Sequence, residues 1–326
     1  MRITVILCTH NRCRSLATSL ESVAASELPT SIEWDVLVVD NNSRDQTREV
    51  VQAFCRRYSG RFQYLFEPQP GKSNALNSGV RKARGEILAF LDDDVTVEPT
   101  WLQNLTSNLH DSEWVGAGGR ILPEKAFAPP RWLALDGPYD LGGVLALFEL
   151  GDTPGKLELP PYGTNMAFRK KMFEKYGGFR TDLGPSPGSE IRNEDTEFGR
   201  RVMEAGERLR YEPSAVVYHE MPQHRLRKEY FLRWQFDYGR AQIRVKIKRP
   251  DVWGIPRHYI SILNRLLHIL PRKTMRWLLT SDPQERFFNK GSVFVTIGEI
   301  VEIYRRVSEP KETSDSSVVL PTKTAH

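Results

Sequence analysis

Short apolar runs alternate with helical segments over residues 1–91, and this alternation restricts the fold more than any other feature of the chain. Each run holds five to seven mostly aliphatic or β-branched residues, which is typical of strands buried on both faces of a sheet. The segments between them place apolar side chains at helical spacing. The predicted strands cover residues 2–8, 34–39, 62–66 and 86–91, and the predicted helices cover residues 14–25, 45–58 and 72–83.

This order of elements predicts an α/β fold with a doubly wound, mainly parallel sheet. Parallel strands need crossover connections, and helices that serve as crossovers cover both faces of the sheet. Ligands of such sheets bind at the carboxyl ends of the strands. Polar residues that directly follow a predicted strand are therefore the candidates for a functional site.

The later part of the chain changes in composition. Residues 123–160 are rich in Pro and Gly, which predicts an excursion over the surface, and residues 163–220 return to an α/β pattern. Residues 226–248 and 258–306 have the periodicity of basic amphipathic helices. Four prolines are expected to break these helices: Pro250, Pro256, Pro271 and Pro283.

We divide the chain into three parts from these patterns. Residues 1–221 form the α/β domain, with halves at 1–122 and 123–221. Residues 222–306 form a basic helical extension, and residues 307–326 form a polar tail that we expect to be disordered.

The extension and the α/β domain carry net charges of opposite sign. The whole chain carries +5, whereas residues 222–306 hold 18 Lys and Arg against 7 Asp and Glu, a balance of +11. Residues 1–221 are left with −5. Two interpretations stay open: a solvated face of helices that pack on the domain, or a face that meets an anionic membrane. Nucleic acid is not expected as a partner, because no binding motif accompanies the charge.

Apolar residues within the extension leave the same choice open. Several of them recur at helical spacing, as on helices that lie in a membrane interface, but the same spacing also serves packing against the α/β domain. The residues concerned are Ile260, Leu263, Leu266, Leu267 and Leu270, with Trp253, Trp277, Phe287 and Phe288 nearby.

The compartment is predicted from cysteines and hydropathy. Cys8, Cys13 and Cys55 are few, odd in number and widely spaced, which favours reduced thiols over disulfides or zinc. The first residues do not have the form of a signal peptide, and no apolar run approaches the ~20 residues of a membrane span. We expect a cytoplasmic protein, with peripheral attachment to the inner face of the membrane as the open alternative.

Three consecutive carboxylates, Asp92, Asp93 and Asp94, follow the fourth predicted strand. Carboxylate oxygens at such a position suit Mg²⁺ or Mn²⁺, with phosphates completing the coordination shell. In extended chain, the side chains of Asp92 and Asp94 point one way and that of Asp93 the other. We therefore expect Asp92 and Asp94 to hold a metal ion and its diphosphate.

Other polar residues follow the first two strands and precede the third helix. Asp40 with Asn42 could bind a base or ribose, or could form a turn. Thr9, Asn11, Arg12 and Lys72 would lie at the same edge, where a nucleotide is expected. Dinucleotide-binding and P-loop glycine motifs are absent from the sequence, which argues against a nicotinamide enzyme and a P-loop ATPase.

Two later features complete the candidate site. Asn193 has the character of an N-cap, and Glu194 and Asp195 would then lie in the first helical turn. A carboxylate held there in its ionised form could act as a general base, or the cluster could simply cap a helix. His219 ends a strand-like run and could be a third metal ligand.

These motifs together resemble family-2 glycosyltransferases, the inverting nucleotide-sugar transferases of GT-A fold. The resemblance covers about residues 1–221. It departs from the family at His10, where the family usually has Tyr. The matching stretches are Cys8–Arg12, Val38–Ser43, Pro70–Asn77, Leu91–Asp94, Gly163–Arg169, Gly177–Phe179, Glu194–Asp195 and Tyr218–His219.

The resemblance implies a role for each candidate. Residues 1–122 would bind the nucleoside-diphosphate sugar, a UDP-sugar in our expectation, and residues 123–221 would hold the acceptor and the catalytic base. Asp195 would be the base with Glu194 as its neighbour, and Asp40 would contact the nucleotide base. The other implied contacts are Thr9, Asn11, Arg12, Asn42, Lys72 and Asp93 to the nucleotide, Asp92, Asp94 and His219 to Mg²⁺ or Mn²⁺, and Gly163, Thr164 and Asn165 to the donor sugar or acceptor.

The expected reaction is transfer of a hexose to a hydroxyl of a glycan or lipid-linked acceptor, in cell-surface polysaccharide or glycolipid synthesis. A catalytically silent protein that binds nucleotide sugars for regulation is the alternative. A nucleotidyltransferase is disfavoured, because two-metal chemistry needs a second acidic pair that the sequence does not offer.

Overall fold

The structure is a computed structural model, and it describes residues 1–110, 113–187, 189, 191–245 and 257–308. The expected features at Pro250, Trp253 and Pro256 lie outside these residues. So does the tail after Ser308, the last residue of the final helix.

One mixed sheet organises the described residues. Its strands run in the order β3-β2-β1-β4-β8-β6-β9-β5, with β7 paired to β9. The β3-β2-β1-β4 half is parallel, and β8 runs antiparallel to both of its neighbours. The prediction of a mainly parallel sheet is confirmed. The strands are β1 (Arg2–Thr9), β2 (Glu33–Asp40), β3 (Phe62–Phe66), β4 (Ile87–Leu91), β5 (Val95–Val97), β6 (Trp114–Pro123), β7 (Gly155–Lys156), β8 (Asn165–Arg169) and β9 (Arg208–His219).

Helices connect the strands of the parallel half and then form the extension. The early ones match the predicted bounds within about two residues, because their apolar faces pack on the sheet. The helices are α1 (Cys13–Ala24), α2 (Thr47–Arg57), α3 (Lys72–Lys82), α4 (Trp101–Thr106), α5 (Lys171–Tyr176), α6 (Glu194–Glu204), α7 (Lys228–Val245), α8 (Arg257–Asn264), α9 (Leu270–Leu279) and α10 (Pro283–Ser308).

The register of the parallel strands aligns their carboxyl ends. Thr9 of β1 lies opposite Asp40 of β2, and Leu7 lies opposite Leu91 of β4. The apolar residues of β1, β2 and β4 are almost completely buried. Polar residues that follow these strands therefore meet at one edge of a rigid sheet.

Residues 123–160 do more than cross the surface, which corrects the prediction for this segment. Leu133, Leu141 and Leu145 are buried in a second apolar cluster together with Phe231 of α7 and Phe287 of α10. The sequence hid this packing, because the segment has no regular periodicity.

Helices α7 and α10 pack closely at two glycines. A Cβ atom added at Gly239 would overlap the carbonyl of Val295, and one added at Gly298 would overlap the carbonyl of Phe236. Glu302 of α10 is buried and accepts hydrogen bonds from Arg240 and Arg244 of α7, whose Nε atoms lie 3.1 and 2.7 Å from its oxygens. Part of the basic charge of the extension is thus neutralised inside it.

Pro271 does not break the helical path, contrary to expectation. Helix α8 continues through a π-helical turn at Arg265–Ile269 directly into α9, which begins at Leu270. Pro271 has no N–H to donate within this path, and the π-helical turn directly before it can absorb the local change in register.

Candidate active site

A cavity of about 960 Å³ opens at the carboxyl ends of β1 and β4. Its wall includes residues from the segment after β6 and from helix α7, such as Leu145 and Tyr238. The predicted site residues that line the cavity are Thr9, Asn11, Arg12, Asn42, Lys72, Asp92, Asp93, Asp94, Thr164, Glu194, Asp195 and His219. Asp40, Gly163 and Asn165 are not among its lining residues.

The three consecutive carboxylates lie in a turn, so the expected alternation of their side chains is wrong. Strand β4 ends at Leu91. Arg12 Nη1 binds Asp93 Oδ1 at 2.9 Å and Asp94 Oδ2 at 2.8 Å, so these neighbours share one cation. Asp92 is bound elsewhere, by Lys72 Nζ at 2.6 Å and by Thr164 Oγ1 at 2.7 Å.

Asp94 contacts three basic side chains of the site. Besides Arg12, its Oδ2 accepts a hydrogen bond from Arg225 Nη2 at 2.9 Å, and its Oδ1 lies 3.2 Å from His219 Nε2. Burial raises the pKa of Asp94, but His219, Arg225 and Arg12 outweigh burial and hold that pKa well below its usual range. Asp94 is therefore ionised at neutral pH.

Asp93 responds differently to the same surroundings. Burial raises its pKa to about 6, although Arg12 opposes the shift. Thr9, which is also buried, interacts with the same carboxylate. Asp93 therefore holds Arg12 at the cavity wall.

Asp195 lies in the first turn of α6. Its Oδ2 accepts a hydrogen bond from the backbone N–H of Gly163 at 2.6 Å, and its Oδ1 accepts one from the N–H of Thr196 at 2.7 Å. Asn193 stands at the N-cap position with φ of 82°, but its side chain makes no capping hydrogen bond. The helix is capped without the expected contribution of the Asn193 amide, and Asp195 is oriented by backbone donors.

Lys72 connects the acidic turn to α6. Its Nζ lies 3.6 Å from Glu194 Oε1 as well as against Asp92. Burial lowers the pKa of Lys72, but the carboxylates of Asp92 and Glu194 raise it by more. Burial raises the pKa of Glu194 to about 7, although Lys72 opposes that shift.

Asp40 is buried beside the cavity, and both of its carboxylate oxygens have partners. Oδ1 accepts from the N–H of Ser43 at 2.9 Å, and Oδ2 accepts from the Tyr64 hydroxyl at 2.8 Å. Asn11 and Asn42 nearby adopt positive φ angles of 54° and 63°, and the N–H of Asn11 donates to Ser43 Oγ at 2.9 Å, which joins the two loops at the strand ends.

The sequence model described as "Glycosyl transferase family 2" matches residues 4–177, more than half of the chain. The chain belongs to glycosyl transferase family 2. The motifs around the strand ends, up to Gly163–Arg169, fall inside this match, whereas Asp195 and His219 fall after it.

Two curated relatives of this glycosyltransferase are named for the transfer of a sugar to a lipid-linked sugar and for polysaccharide biosynthesis. It is 24% identical to a glucosyl-dolichyl phosphate glucuronosyltransferase of Haloferax volcanii over 83% of this chain and 86% of the relative. It is 28% identical to the succinoglycan biosynthesis protein ExoM of Rhizobium meliloti over 78% of this chain and 80% of the relative.

Solved structures of other glycosyltransferases share the fold. The mannosyltransferase PcManGT from Pyrobaculum calidifontis, in complex with GDP-Man and Mn²⁺, matches with a TM-score of 0.61 and 18% identity, over 94% of this chain and 88% of that one. TarS 1–349 of S. aureus matches with a TM-score of 0.50 and 14% identity, over 94% of this chain and 92% of that one. The GT-A fold expected for the glycosyltransferase is confirmed.

Arg225 holds together the two side chains that suit a divalent cation, Asp94 and His219. Its Nη2 donates to Asp94 Oδ2 at 2.9 Å, and its Nη1 lies 3.2 Å from His219 Nε2. His219 Nδ1 lies 2.7 Å from the carbonyl of Leu145, which can only accept a hydrogen bond. A metal ion bound by Asp94 and His219 would therefore take the place of the Arg225 guanidinium.

Asp92 does not join this pair. Within the described ranges, no group of three or more His, Cys, Asp and Glu side chains is arranged to hold a metal ion. The predicted set of three ligands thus does not converge, because Lys72 and Thr164 hold both oxygens of Asp92.

Asn165 and Gly163 contribute to the site from beneath it. Asn165 is fully buried, accepts a hydrogen bond from the indole of Trp101 and donates to the carbonyls of Arg120 and Ala215. Gly163 offers its backbone N–H to Asp195. Thr164, between them, is the member of the predicted trio that lines the cavity.

The extension supplies site residues that sequence reasoning missed. Arg225 precedes α7, and Tyr230, Trp234 and Tyr238 line the cavity from one face of that helix. The four-residue spacing of these aromatics was a readable signal of a common helical face. Arg225 had no comparable signal, since it stands in a basic stretch beyond the family motifs.

Among the helices that the structure describes, none is both long and apolar enough to cross a bilayer.

Proposed function

We propose that this glycosyltransferase moves a hexose from a nucleoside-diphosphate sugar, a UDP-sugar, to a hydroxyl of a glycan or lipid-linked acceptor, with inversion. The observation that carries the proposal is the placement of two unlike groups in one cavity. Basic side chains hold Asp94 and Asp92 in the same cavity that the carboxylate of Asp195 lines. Donor and acceptor chemistry can therefore meet in this cavity.

The leaving diphosphate would lie against the cationic side. Arg12, Lys72 and Arg225 are fixed by carboxylates, so they need little reorganisation when negative charge develops on the diphosphate. A Mg²⁺ or Mn²⁺ ion that took the place of Arg225 at Asp94 and His219 would supply further positive charge there. PcManGT, of similar fold, was solved with GDP-Man and Mn²⁺, which supports this arrangement.

The nucleotide would extend over the ends of β1 and β2. Asn11, Arg12 and Asn42 line that part of the cavity, and Asp40 stands behind it. Asp40 would bind the base only after giving up its bond to Tyr64 or Ser43. The UDP assignment draws on TarS 1–349, solved with UDP-GlcNAc at a TM-score of 0.50 and 15% identity.

Asp195 would take the proton from the acceptor hydroxyl. Two backbone N–H groups orient its carboxylate. A carboxylate is a weak base, which suffices when the proton moves late in a single displacement, after the attacking oxygen has become acidic. Such a base contributes ~10²–10⁴ in rate.

The acceptor would enter along helix α7. Trp234 and Tyr238 stack with their ring centroids 5.2 Å apart and an interplanar angle of 11°. The apolar C–H face of a sugar ring can stack on such aromatic rings. This favours a sugar over a simple alkyl alcohol as the acceptor. The Haloferax relative, named for action on glucosyl-dolichyl phosphate, supports a sugar on a lipid carrier.

A donor panel tests the proposal. Thermal shift with UDP-, GDP- and dTDP-sugars, each with Mn²⁺ and with excess EDTA, is followed by product analysis. We expect one UDP-sugar to stabilise the protein and to be turned over, with activity lost in EDTA. If a nucleotide sugar binds but is neither transferred to an acceptor nor hydrolysed, the result would instead support the alternative of a catalytically silent regulatory protein.

A further inference from the structure

Helix α8, the π-turn and α9 form one continuous segment, residues 257–279, that leaves its large apolar side chains in solvent. We name this segment the apolar arm. Its exposed apolar residues have exposed fractions between 43% and 78% and are Tyr259, Ile260, Leu263, Leu266, Leu267, Met275, Leu278 and Leu279.

This density of exposed apolar side chains differs from the rest of the described chain. Elsewhere such residues occur singly or in pairs, as at Phe66, Leu150 and Leu159. Single exposed apolar residues are normal, whereas a contiguous exposed apolar patch marks an interaction site. Helix α9 contributes no buried residue, so packing on the domain does not explain its leucines.

The arm is attached to the body by polar contacts. Arg265 Nε binds Glu299 of α10 at 2.7 Å, with both side chains mostly buried. Lys273 Nζ turns inward as well and donates to the hydroxyl of Thr296 at 2.9 Å. Two basic side chains of the arm thus face the protein while most of its leucines are exposed, which differs from a helix whose outer face is polar.

The charge of the arm restricts the partner. Residues 257–279 contain five Lys and Arg and no Asp or Glu. Arg272 and Arg276 are exposed beside the leucines. A second copy of the chain would bring two segments of this sign against each other, whereas an anionic lipid headgroup layer is complementary to the arm.

We propose that the apolar arm docks the protein on an anionic membrane surface, with its leucines in the outer acyl region and Arg272 and Arg276 among the headgroups. A helix with apolar and basic residues on one face lies in the plane of the interface in this way. The arm needs no change of fold to do so, because the docking residues are exposed already.

Vesicle flotation with the full chain, without donor or acceptor, tests the proposal independently of sugar transfer. The vesicles contain phosphatidylcholine with or without a quarter phosphatidylserine, at low and high salt. We expect most of the protein to float with the anionic vesicles at low salt, and less than a tenth of it at high salt or with neutral vesicles.

Matched variants locate the docking surface. The double substitution Leu278→Glu with Leu279→Glu should reduce flotation at least tenfold, and Arg272→Glu with Arg276→Glu should do so on anionic vesicles. The control pair Phe66→Glu with Leu150→Glu, also exposed but outside the arm, should float like wild type. Since all these side chains are exposed, circular dichroism and melting temperature should match wild type.

Three results would overturn the proposal. The first is wild-type protein that stays in the soluble fraction with anionic vesicles at low salt. The second is an arm variant that floats as well as the wild type. The third is a concentration-dependent dimer in solution that Leu278→Glu with Leu279→Glu abolishes, because the arm would then be an interface between copies.

Discussion

The strand-end region and the extension use their charges in opposite ways. At the strand ends, acidic and basic side chains pair with one another around a cavity, as Arg12, Asp93 and Asp94 do. In the extension, α7 and α10 neutralise part of their charge inward through Glu302, while the apolar arm keeps exposed basic residues beside apolar ones. Paired charges around a cavity form a site for a small charged ligand. Unpaired basic residues beside exposed leucines instead favour contact with an extended anionic surface.

The two regions are not fully separate, because Arg225 and the aromatic face of α7 belong to the extension but line the cavity. The strand-end region should determine donor chemistry, and the extension should determine acceptor use and location. The following experiments test where this boundary lies.

The largest effect is expected from Asp195→Asn. The amide keeps the size of the side chain but cannot take the acceptor's proton, so transfer should fall by ~10²–10⁴. Initial-rate kinetics measure the fall, and calorimetry should show donor binding retained. The exposed Asp136 provides the control Asp136→Asn, which should transfer normally. If Asp195→Asn also loses nucleotide binding, Asp195 belongs to the donor-binding site and is not the base.

Arg225→Ala asks whether the extension takes part in donor chemistry. Removing this partner of Asp94 leaves Arg12 and His219 in place, so we expect a folded protein whose kcat falls by ~10–100-fold. Arg225→Lys should recover part of the loss. The matched control is Arg227→Ala, at an exposed position two residues on. Normal kcat in Arg225→Ala would restrict the donor site to the strand-end region.

Glu194 should make stability depend on pH. Its folded pKa of about 7 lies above the ordinary value of 4.5 because the side chain is buried. Ionisation therefore costs more in the folded state, and this contribution to stability is lost as pH rises from about 4.5 through 7. Glu194→Gln cannot ionise, so its stability should fall less over that range, by ~1–3 kcal/mol.

Urea unfolding at pH 5 and pH 8 measures this difference. The wild type contains other titrating groups, Asp93 among them, so the comparison with Glu194→Gln isolates the residue. Identical pH slopes in the two proteins would mean that Lys72 keeps Glu194 ionised throughout.

The smallest effect is expected from Trp234→Ala. If α7 carries the acceptor, the KM for the acceptor should rise about tenfold while the donor Kd stays within twofold, and Trp234→Phe should restore most of the affinity. The measurement uses steady-state kinetics with the acceptor found by the donor panel. An increase in donor Kd instead would place the aromatic wall on the nucleotide side.

Much of the fold was readable from local patterns. Strand and helix periodicities in residues 1–91 depend on neighbours a few positions away, so β1 to β4 and α1 to α3 were predicted nearly to the residue. The motifs at the strand ends were readable for a related reason, since parallel strands bring their carboxyl ends to one edge.

Other features depended on distant contacts and escaped prediction. The alternation expected for Asp92 to Asp94 failed because the chain turns directly after Leu91. The segment around Leu133 packs against Phe287 across more than 150 positions of sequence, and no local pattern encodes such a contact.

By itself, the sequence determined the order of strands and helices, the family and the set of candidate side chains, because these follow from short-range periodicity and motif spacing. Tertiary structure decided which candidates meet. It placed Asp94 beside His219 and Arg225, paired Asp92 with Lys72 instead, and brought α7 to the wall of the cavity. It also left most leucines of the arm exposed while Arg265 and Lys273 contact α10. Periodicity shows that a helix has an apolar face, but only packing determines what that face meets.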